Sequence, residues 1–157
     1  IVAGKPFAPL MHETVRRLGA TNPIFVGDRI DTDIMGAVAV GMASLFVFTG
    51  AHGKHDLAQA GPQGRPTWIG SDLRALLAPA RTATVTGSQA ACGGSLATLT
   101  DGVVSLAGVP NEVEGQLDAL WAALHLVWNH GGDATAAPAG GHTGCGGPPP
   151  AGHHGSL

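Results

Sequence analysis

The sequence has 157 residues, of which 44% are hydrophobic and only 12% are charged. This length and composition suit one domain with a sizeable core and exclude a charge-driven disordered protein. Eight Lys and Arg residues against eleven Asp and Glu residues give a net charge of -3. There is therefore no basic excess for binding a nucleic-acid backbone or an anionic membrane surface. The 25 glycines and 11 prolines follow no G-X-Y period, which excludes a collagen.

The ends and the cysteines of the chain indicate its compartment. Cys92 and Cys145 form neither a CxxC motif nor a disulfide framework, which favours the reducing cytoplasm. No charged-then-apolar leader is visible, and the apolar runs are too short to span a bilayer. Removal of an initiator Met normally requires a small second residue, so the start at Ile1 predicts a chain cut from a longer protein.

Helices and strands are predicted to alternate over the first 80 residues. Apolar spacing predicts the helices, and short apolar runs rich in aromatic or β-branched residues predict the strands. In chain order these are a helix over Pro9–Leu18 that stops at Gly19, a strand buried on both faces over Ile24–Val26, a helix over Ile34–Met42, a buried strand over Leu45–Phe48, an edge strand over Thr67–Ile69, and a helix capped by Ser71-Asp72 that runs to Leu77. This alternation is typical of a parallel α/β sheet.

The character of the sequence changes after Arg81. Three weak strand candidates, Thr82–Thr86, Ser95–Leu99 and Val103–Leu106, are separated by glycines. Glu114–Trp128 is predicted as an amphipathic helix, with an apolar stripe that needs a partner surface: Leu117, Leu120, Trp121, Leu124 and Trp128. Residues 131–157 are rich in Gly, Pro and His and predict a disordered tail. The expected domains are therefore an α/β part over 1–80, a small extension over 81–130 and the tail over 131–157.

The segment most informative about chemistry is an acidic turn after the first predicted strand. Asp28, Asp31 and Asp33 lie within six residues, where a strand ends and a helix begins. In an open α/β sheet, ligands bind in the crevice at this edge. Clustered carboxylates raise one another's pKa unless a cation lies among them, and Mg²⁺ prefers such oxygen ligands. The alternative is a solvated turn in which Asp33 only caps a helix.

A lysine is expected at the same sheet edge. Lys5, in Gly4-Lys5-Pro6, precedes the first helix and lies one helix and one strand upstream of Asp28. Because residues that follow neighbouring parallel strands meet at one edge, we expect Lys5 beside Asp28, where an ammonium can balance carboxylates and bind phosphate. By itself the tripeptide is equally typical of an exposed surface lysine.

Taken together, these segments resemble a known enzyme family. Gly4-Lys5-Pro6, Val26-Gly27-Asp28-Arg29-Ile30-Asp31-Thr32-Asp33-Ile34, Gly36-Ala37, Gly41-Met42 and Phe46-Val47-Phe48-Thr49-Gly50 resemble the haloacid dehalogenase (HAD) superfamily, most of all its type IIA phosphatases. The resemblance covers roughly residues 4–80, including Arg65-Pro66 through Asp72-Leu73. It implies the C-terminal part of a Rossmann-like α/β core, followed here by a small extension and the tail.

The resemblance also implies roles for individual residues. Lys5 and Asp33 would be catalytic: Lys5 would hold the nucleophile and the transferring phosphoryl group and so bind substrate. Asp28 would ligate Mg²⁺ directly, with Asp33 at the same metal site through a metal-bound water. Arg29 would form a structural ion pair, and Asp31 matches a variable position. The implied reaction is hydrolysis of a small phosphorylated metabolite through a phosphoaspartate.

The sequence departs from the family at its first motif. The Asp-x-Asp that supplies nucleophile and acid/base does not precede Lys5, and the phosphate-binding Ser/Thr motif and the cap are also missing. We therefore expect the chain to be inactive alone and to pair with the missing N-terminal half or with itself. The missing first strand would neighbour Ile24–Val26, so this strand is expected to be an open apolar edge prone to aggregation.

Several choices stay open at this level. His52 and His55 could pair on a metal, but they are expected to be loop residues. His142, Cys145, His153 and His154 favour adventitious metal binding in the tail. The alternative function is a non-catalytic binding or interaction module derived from the same core. An Asp-x-Asp-Gly encoded upstream would favour the enzyme. Sugar phosphates, phosphoglycolate, nucleotides and pyridoxal phosphate remain candidate substrates, and the oligomeric state is open.

Overall fold

The computed structural model describes residues 4–131 and 135–136. Its first half alternates helix and strand, as predicted. The elements are α1 (Ala8–Leu18), β1 (Ile24–Gly27), α2 (Met35–Ala39), β2 (Ala43–Val47), α3 (Lys54–Gln59) and β3 (Trp68–Gly70). Three short turns connect them: a π-helical turn at Ile30–Ile34 and 3₁₀ turns at Pro62–Gly64 and Leu73–Leu77.

The strands of this half form a parallel sheet in the order β1-β2-β3. Phe46 and its neighbours in β2 are buried, because β2 is the central strand. The predicted edge position of β3 is confirmed. The expectation that Ile24–Val26 is buried on both faces is wrong, since Ile24 is 43% exposed. Within the described ranges no strand pairs with the outer side of β1, so β1 is the open edge that the sequence predicts.

The helices differ from the predictions at their ends. The first helix begins one residue early, at Ala8, and ends at Gly19, whose φ of 61° suits a left-handed C-cap. The helix predicted from Ile34 is shorter, because residues 30–34 form the π turn and Gly41 adopts a φ of 67°. The segment that ends at Leu77 is a 3₁₀ turn, and its predicted cap is present: the Asp72 carboxylate accepts from Arg74 N–H at 2.8 Å.

Helix α3 is absent from the sequence prediction. Of its six residues only Leu57 is buried, so the segment has no apolar period that could reveal a helix. The Asp56 carboxylate accepts from Gly53 N–H at 2.7 Å, and this bond lowers the pKa of Asp56. His55 therefore lies on an exposed helix, and its expected loop position is wrong.

The second half contains an antiparallel sheet covered by one long helix. Its elements are β4 (Thr84–Thr86), β5 (Gln89–Cys92), β6 (Ser95–Thr100), β7 (Val103–Ala107), α4 (Val113–Asn129) and β8 (Thr135–Ala136). Neighbouring strands from β4 to β7 are antiparallel, and β8 pairs parallel to β7. All three weak strand candidates are confirmed, whereas β5 was not predicted. Apart from β8 and Gly131, the predicted tail lies outside the described residues, with Cys145 and its three histidines.

Helix α4 is buried on more than the predicted stripe. Leu117, Trp121 and Leu124 are buried as expected, but so are Ala122 and Leu126 on other faces. The reason is that α4 packs on the antiparallel sheet and also against α3 and β3. No helix in the described ranges is long and apolar enough to cross a membrane.

Two side chains connect the halves of the molecule. Trp128 Nε1 donates to the Leu57 carbonyl at 3.0 Å, which fastens α4 to α3. Arg81 is about one-tenth exposed and donates to the Ile69 carbonyl at 3.0 Å, while its guanidinium pairs with Asp118 at 2.9 Å and with Glu114. The two sheets therefore share one continuous hydrophobic core.

His125 is a polar residue within this shared core. Its ring contacts Trp121 edge to face, with centroids 4.4 Å apart, and its Nε2 is buried without a hydrogen-bond partner in the described structure. Burial lowers the pKa of His125, and the nearby Arg65 lowers it further. Folding therefore favours the neutral ring.

We predict that His125 makes the protein less stable in mild acid. Because the folded-state pKa lies below the unfolded value of about 6.5, the unfolded chain binds more protons as the pH falls below that value, and the free energy of unfolding decreases. His125→Leu removes this loss and also the unpaired nitrogen, raising the free energy of unfolding by about 1 kcal/mol at neutral pH. Urea unfolding between about pH 5 and 8 measures the free energy of unfolding and its dependence on pH. The exposed residue His12 provides the control variant His12→Leu. If the free energy of unfolding of His125→Leu falls with pH as steeply as that of the wild type, the prediction is contradicted.

The open β1 edge generates a second prediction. Beside this strand, α1 and β1 line an apolar groove of about 330 Å³, and Leu10, Leu18 and Ile24 are exposed nearby. An unpaired apolar edge recruits other strands, and a lysine on it opposes such pairing. We expect the chain to associate with increasing concentration and Ile24→Lys to suppress this association in light scattering. A wild-type chain that stays monomeric and unfolds cooperatively would contradict the expectation.

Candidate functional site

The candidate site lies where β1 and β2 end. Asp28 directly follows β1, and the segment Gly50–His52 follows β2 after two intervening residues. Because β1 and β2 are parallel neighbours, both connections leave the same edge of the sheet. This is the crevice in which open α/β sheets bind ligands.

Backbone groups from the β2 loop hold Asp28. The Ala51 N–H donates to Asp28 Oδ2 at 3.2 Å, and the His52 N–H donates to the Asp28 carbonyl at 3.2 Å. A Cβ at Gly50 would overlap the Asp28 carboxylate, so glycine is needed for this close approach. The carboxylate is half-buried, which leaves it accessible from the crevice.

Asp33 is buried and fully engaged. Its side chain is only 5% exposed; Lys5 Nζ donates to Oδ1 at 2.6 Å, and Arg29 N–H donates to Oδ2 at 3.3 Å. A buried carboxylate is costly unless it is paired and hydrogen-bonded, and both conditions are met here. A Cβ at Gly27 would overlap the Asp33 side chain, which explains the glycine at the end of β1.

The remaining acidic residue has a different environment. Arg29 and Asp31 form an ion pair at 2.7 Å in which both side chains are about half exposed. The Arg29 guanidinium lowers the pKa of Asp31. Exposed pairs of this kind contribute little to stability.

The structure brings Lys5, Asp28 and Asp33 to one sheet edge, with one difference in pairing. Lys5 was expected beside Asp28, but the residue that it contacts is Asp33. The π turn explains this, because it turns the Asp33 side chain back toward the end of β1, where Arg29 N–H and Lys5 reach it.

His52 contributes to the site in a way that the sequence does not reveal. Its ring Nδ1 accepts from Ile30 N–H at 2.8 Å. The sequence indicated only a loop histidine, because a single His after a strand carries no periodic or motif signal. Among the described residues, no three His, Cys, Asp or Glu side chains form a group that could hold a metal ion.

The donor set nevertheless fits a hard divalent cation that is only partly coordinated by this chain. Mg²⁺ usually binds through one or two carboxylates and completes its shell with waters and substrate phosphate. Asp28 is the accessible carboxylate here, whereas both oxygens of Asp33 already accept hydrogen bonds. Asp28 is therefore suited to direct coordination and Asp33 to an indirect contact.

Comparisons with known proteins agree with this geometry. Residues 2–76 match the family model described as HAD-hydrolase-like. This segment, a little under half of the chain, is therefore similar to HAD-like hydrolases. Over 75 residues the chain is 52% identical to the D-glycerol 3-phosphate phosphatase of Mycobacterium tuberculosis. The aligned segment makes up 48% of this chain and 21% of that protein.

Solved structures extend the likeness beyond the HAD-like segment. The crystal structure of a glycerol phosphate phosphatase from Mycobacterium tuberculosis in complex with magnesium has a TM-score of 0.60 and 35% identity, covering 79% of this chain and 37% of that one. The structure of a calcium complex of a glycerol phosphate phosphatase from the same organism has a TM-score of 0.56 and 34% identity. The match covers 83% of this chain and 37% of that one. The chain thus spans about a fifth to somewhat over a third of the relatives that it matches.

The tight packing of Gly27 on Asp33 can be tested. We expect Gly27→Ala to displace the Asp33 side chain and to lower the free energy of unfolding by about 1–3 kcal/mol, the usual cost of overpacking. Chemical denaturation measures the loss. Gly61→Ala is the matched control, because a Cβ there meets nothing within 4 Å. Equal stability of the two variants would contradict this account of the HAD-like segment.

Proposed function

We propose that this chain is the C-terminal portion of a Mg²⁺-dependent phosphatase of the type IIA branch, acting on a small phosphate monoester. The observation that carries the proposal is the arrangement of an accessible Asp28 next to a buried, lysine-paired Asp33 at the carboxyl edge of a parallel sheet. The 52% identity to a D-glycerol 3-phosphate phosphatase makes glycerol 3-phosphate the first substrate to test.

In this proposal the three site residues divide the work. Asp28 ligates the metal, and its orientation is maintained by Ala51 N–H. Asp33 keeps Lys5 at the crevice and would accept a further hydrogen bond from a water of the metal shell. Lys5, whose side chain is 46% exposed, offers its remaining N–H donors to the phosphoryl oxygens. When bound, Mg²⁺ would supply Lewis-acid polarisation of the phosphoryl group.

Charge balance supports these roles. Phosphoryl transfer depends mainly on positioning and on stabilising charge at the phosphoryl oxygens. Asp28 and Asp33 together carry two negative charges, and Lys5 offsets one of them, so the edge retains one negative charge with which to attract a divalent cation. A cation bound there makes the crevice net positive, as phosphate binding requires.

The nucleophile is proposed to come from outside this chain. The only Asp-x-Asp in the sequence is Asp31-Thr32-Asp33. Its first member is paired with Arg29 and its second with Lys5, so neither serves as an in-line nucleophile. An aspartate from an N-terminal half would form and then lose the phosphoaspartate, and the chain alone is expected to be inactive. Among the described residues, the buried thiol of Cys92 has no disulfide partner, which is consistent with the proposed reducing cytoplasm.

A chimera tests the proposal. The 75 residues of this chain that align with the Mycobacterium tuberculosis phosphatase replace the corresponding segment of that enzyme, which supplies the remaining parts. We expect Mg²⁺-dependent release of phosphate from glycerol 3-phosphate, and no turnover by the 157-residue chain. Asp28→Asn in the chimera should lower kcat by about 100-fold or more, because metal polarisation contributes several kcal/mol.

Asp31→Asn is the matched control, because it makes the same chemical change three residues away at an exposed position. It should leave kcat within about twofold, as expected for an exposed pair. A folded chimera without activity would favour a non-catalytic module derived from the HAD core. Turnover by the chain alone that depends on Asp28 would place a nucleophile within it.

A further inference from the structure

His52 contacts the metal-site loop at two points. Its backbone N–H donates to the Asp28 carbonyl at 3.2 Å, and its ring Nδ1 accepts from Ile30 N–H at 2.8 Å. The loop from Asp28 to Ile30 is therefore held at both ends by one residue of the neighbouring connection. His52 is itself half-buried, so these bonds are partly shielded from water.

The Ile30 N–H is a group that needs an external partner. Ile30 is the first residue of the π turn, and the first N–H groups of a helical turn have no acceptor within it. A side chain of the preceding residue normally caps the second or third N–H of a helix rather than the first, and here that residue is Arg29, which has only donors. His52 thus serves as the N-terminal cap from a different segment of the chain.

We propose that His52 is a positioning residue for the metal site, acting through the Asp28–Ile30 loop on the Asp28 carboxylate. The proposal rests on the proposed function, since it assumes that Asp28 binds a divalent cation. Ala51, adjacent to His52, donates to the same carboxylate. The β2 loop therefore fixes the Asp28 carbonyl, the Asp28 carboxylate and the following turn together. Residues that orient metal ligands commonly change metal affinity 10–100-fold when they are replaced.

The chain allows variants that separate the acceptor from the rest of the side chain. In His52→Asn, Oδ1 takes the place of Nδ1 at the same number of bonds from the backbone. In His52→Gln the acceptor moves one bond outward, and in His52→Leu it is removed at similar volume. All three keep the backbone N–H that donates to Asp28. They differ in whether an acceptor stands where the Ile30 N–H can reach it.

The experiment measures metal binding without any enzymatic readout. Mn²⁺ is titrated into the 157-residue chain, free Mn²⁺ is followed by electron paramagnetic resonance, and binding that persists in Asp28→Asn is subtracted. Amide exchange at Ile30 reports the hydrogen bond directly, and thermal unfolding shows that each variant is folded. We expect His52→Leu and His52→Gln to raise the Asp28-dependent Kd about tenfold and to lose protection at Ile30. His52→Asn should retain both.

Any result other than the expected one contradicts a specific part of the proposal. If the wild-type chain shows no Asp28-dependent binding, the proposed metal site and the role of His52 both fail. If the wild type binds and folded His52→Leu binds equally well, the role of His52 alone fails. If His52→Asn keeps Ile30 protected but weakens binding as much as His52→Gln, the hydrogen bond is not what positions Asp28. If His52→Leu does not fold, the difference in metal affinity between His52→Asn and His52→Gln tests the role of His52.

Discussion

The buried carboxylate of Asp33 is the constraint around which the first half of the molecule is organised. Removing this charge from water is costly, so each oxygen requires a compensating donor. Lys5 reaches it from the segment before α1, and Arg29 supplies a backbone N–H from the turn after β1. The pair thereby ties the start of the described chain to the π turn after β1, 28 residues away. Gly27 leaves the space that this arrangement occupies.

The same turn separates two carboxylates into two environments. Asp28 remains half-buried and accessible, held by backbone donors of the β2 loop, whereas Asp33 is enclosed and neutralised by Lys5. One acidic motif thus supplies an accessible carboxylate and an enclosed ion pair a few residues apart. This difference in environment is the basis of the proposal that Asp28 coordinates a metal ion and Asp33 supports it.

The second half packs against α3 and β3 of the first half. Helix α4 packs on its own antiparallel sheet and also reaches α3 through Trp128, while Arg81 joins the end of β3 to the start of α4. Arg81 is nearly buried, and its charge is balanced by Asp118 and Glu114. The central strand β2 is therefore covered by a core that extends across both sheets, while β1 stays open at the other side.

The sequence by itself determined the alternation of elements and indicated the candidate site residues. Periodic apolar spacing predicted α1 and α4, and short β-branched runs predicted β1 to β3. The spacing of Lys5, Asp28 and Asp33 predicted the sheet edge at which the proposed cation and phosphate site lies. These patterns are local, so they can be recognised in the sequence without knowing how the elements pack. Helix α3 was not predicted because only one of its side chains is buried. Strand β5 was not predicted because its four residues, Gln-Ala-Ala-Cys, show no apolar and polar alternation in the sequence, although their burial alternates in the structure.

Only the tertiary structure decided which charges meet. Sequence placed Lys5 beside Asp28, but the π turn directs Asp33 to the lysine instead. The cap that His52 provides for Ile30 joins residues 22 positions apart, and no local pattern encodes such a contact. The burial of more than one face of α4 likewise depends on two surfaces that meet only after folding. Pairing of charges and caps depends on distances in space, and these are set by the packing of the sheets rather than by spacing along the chain.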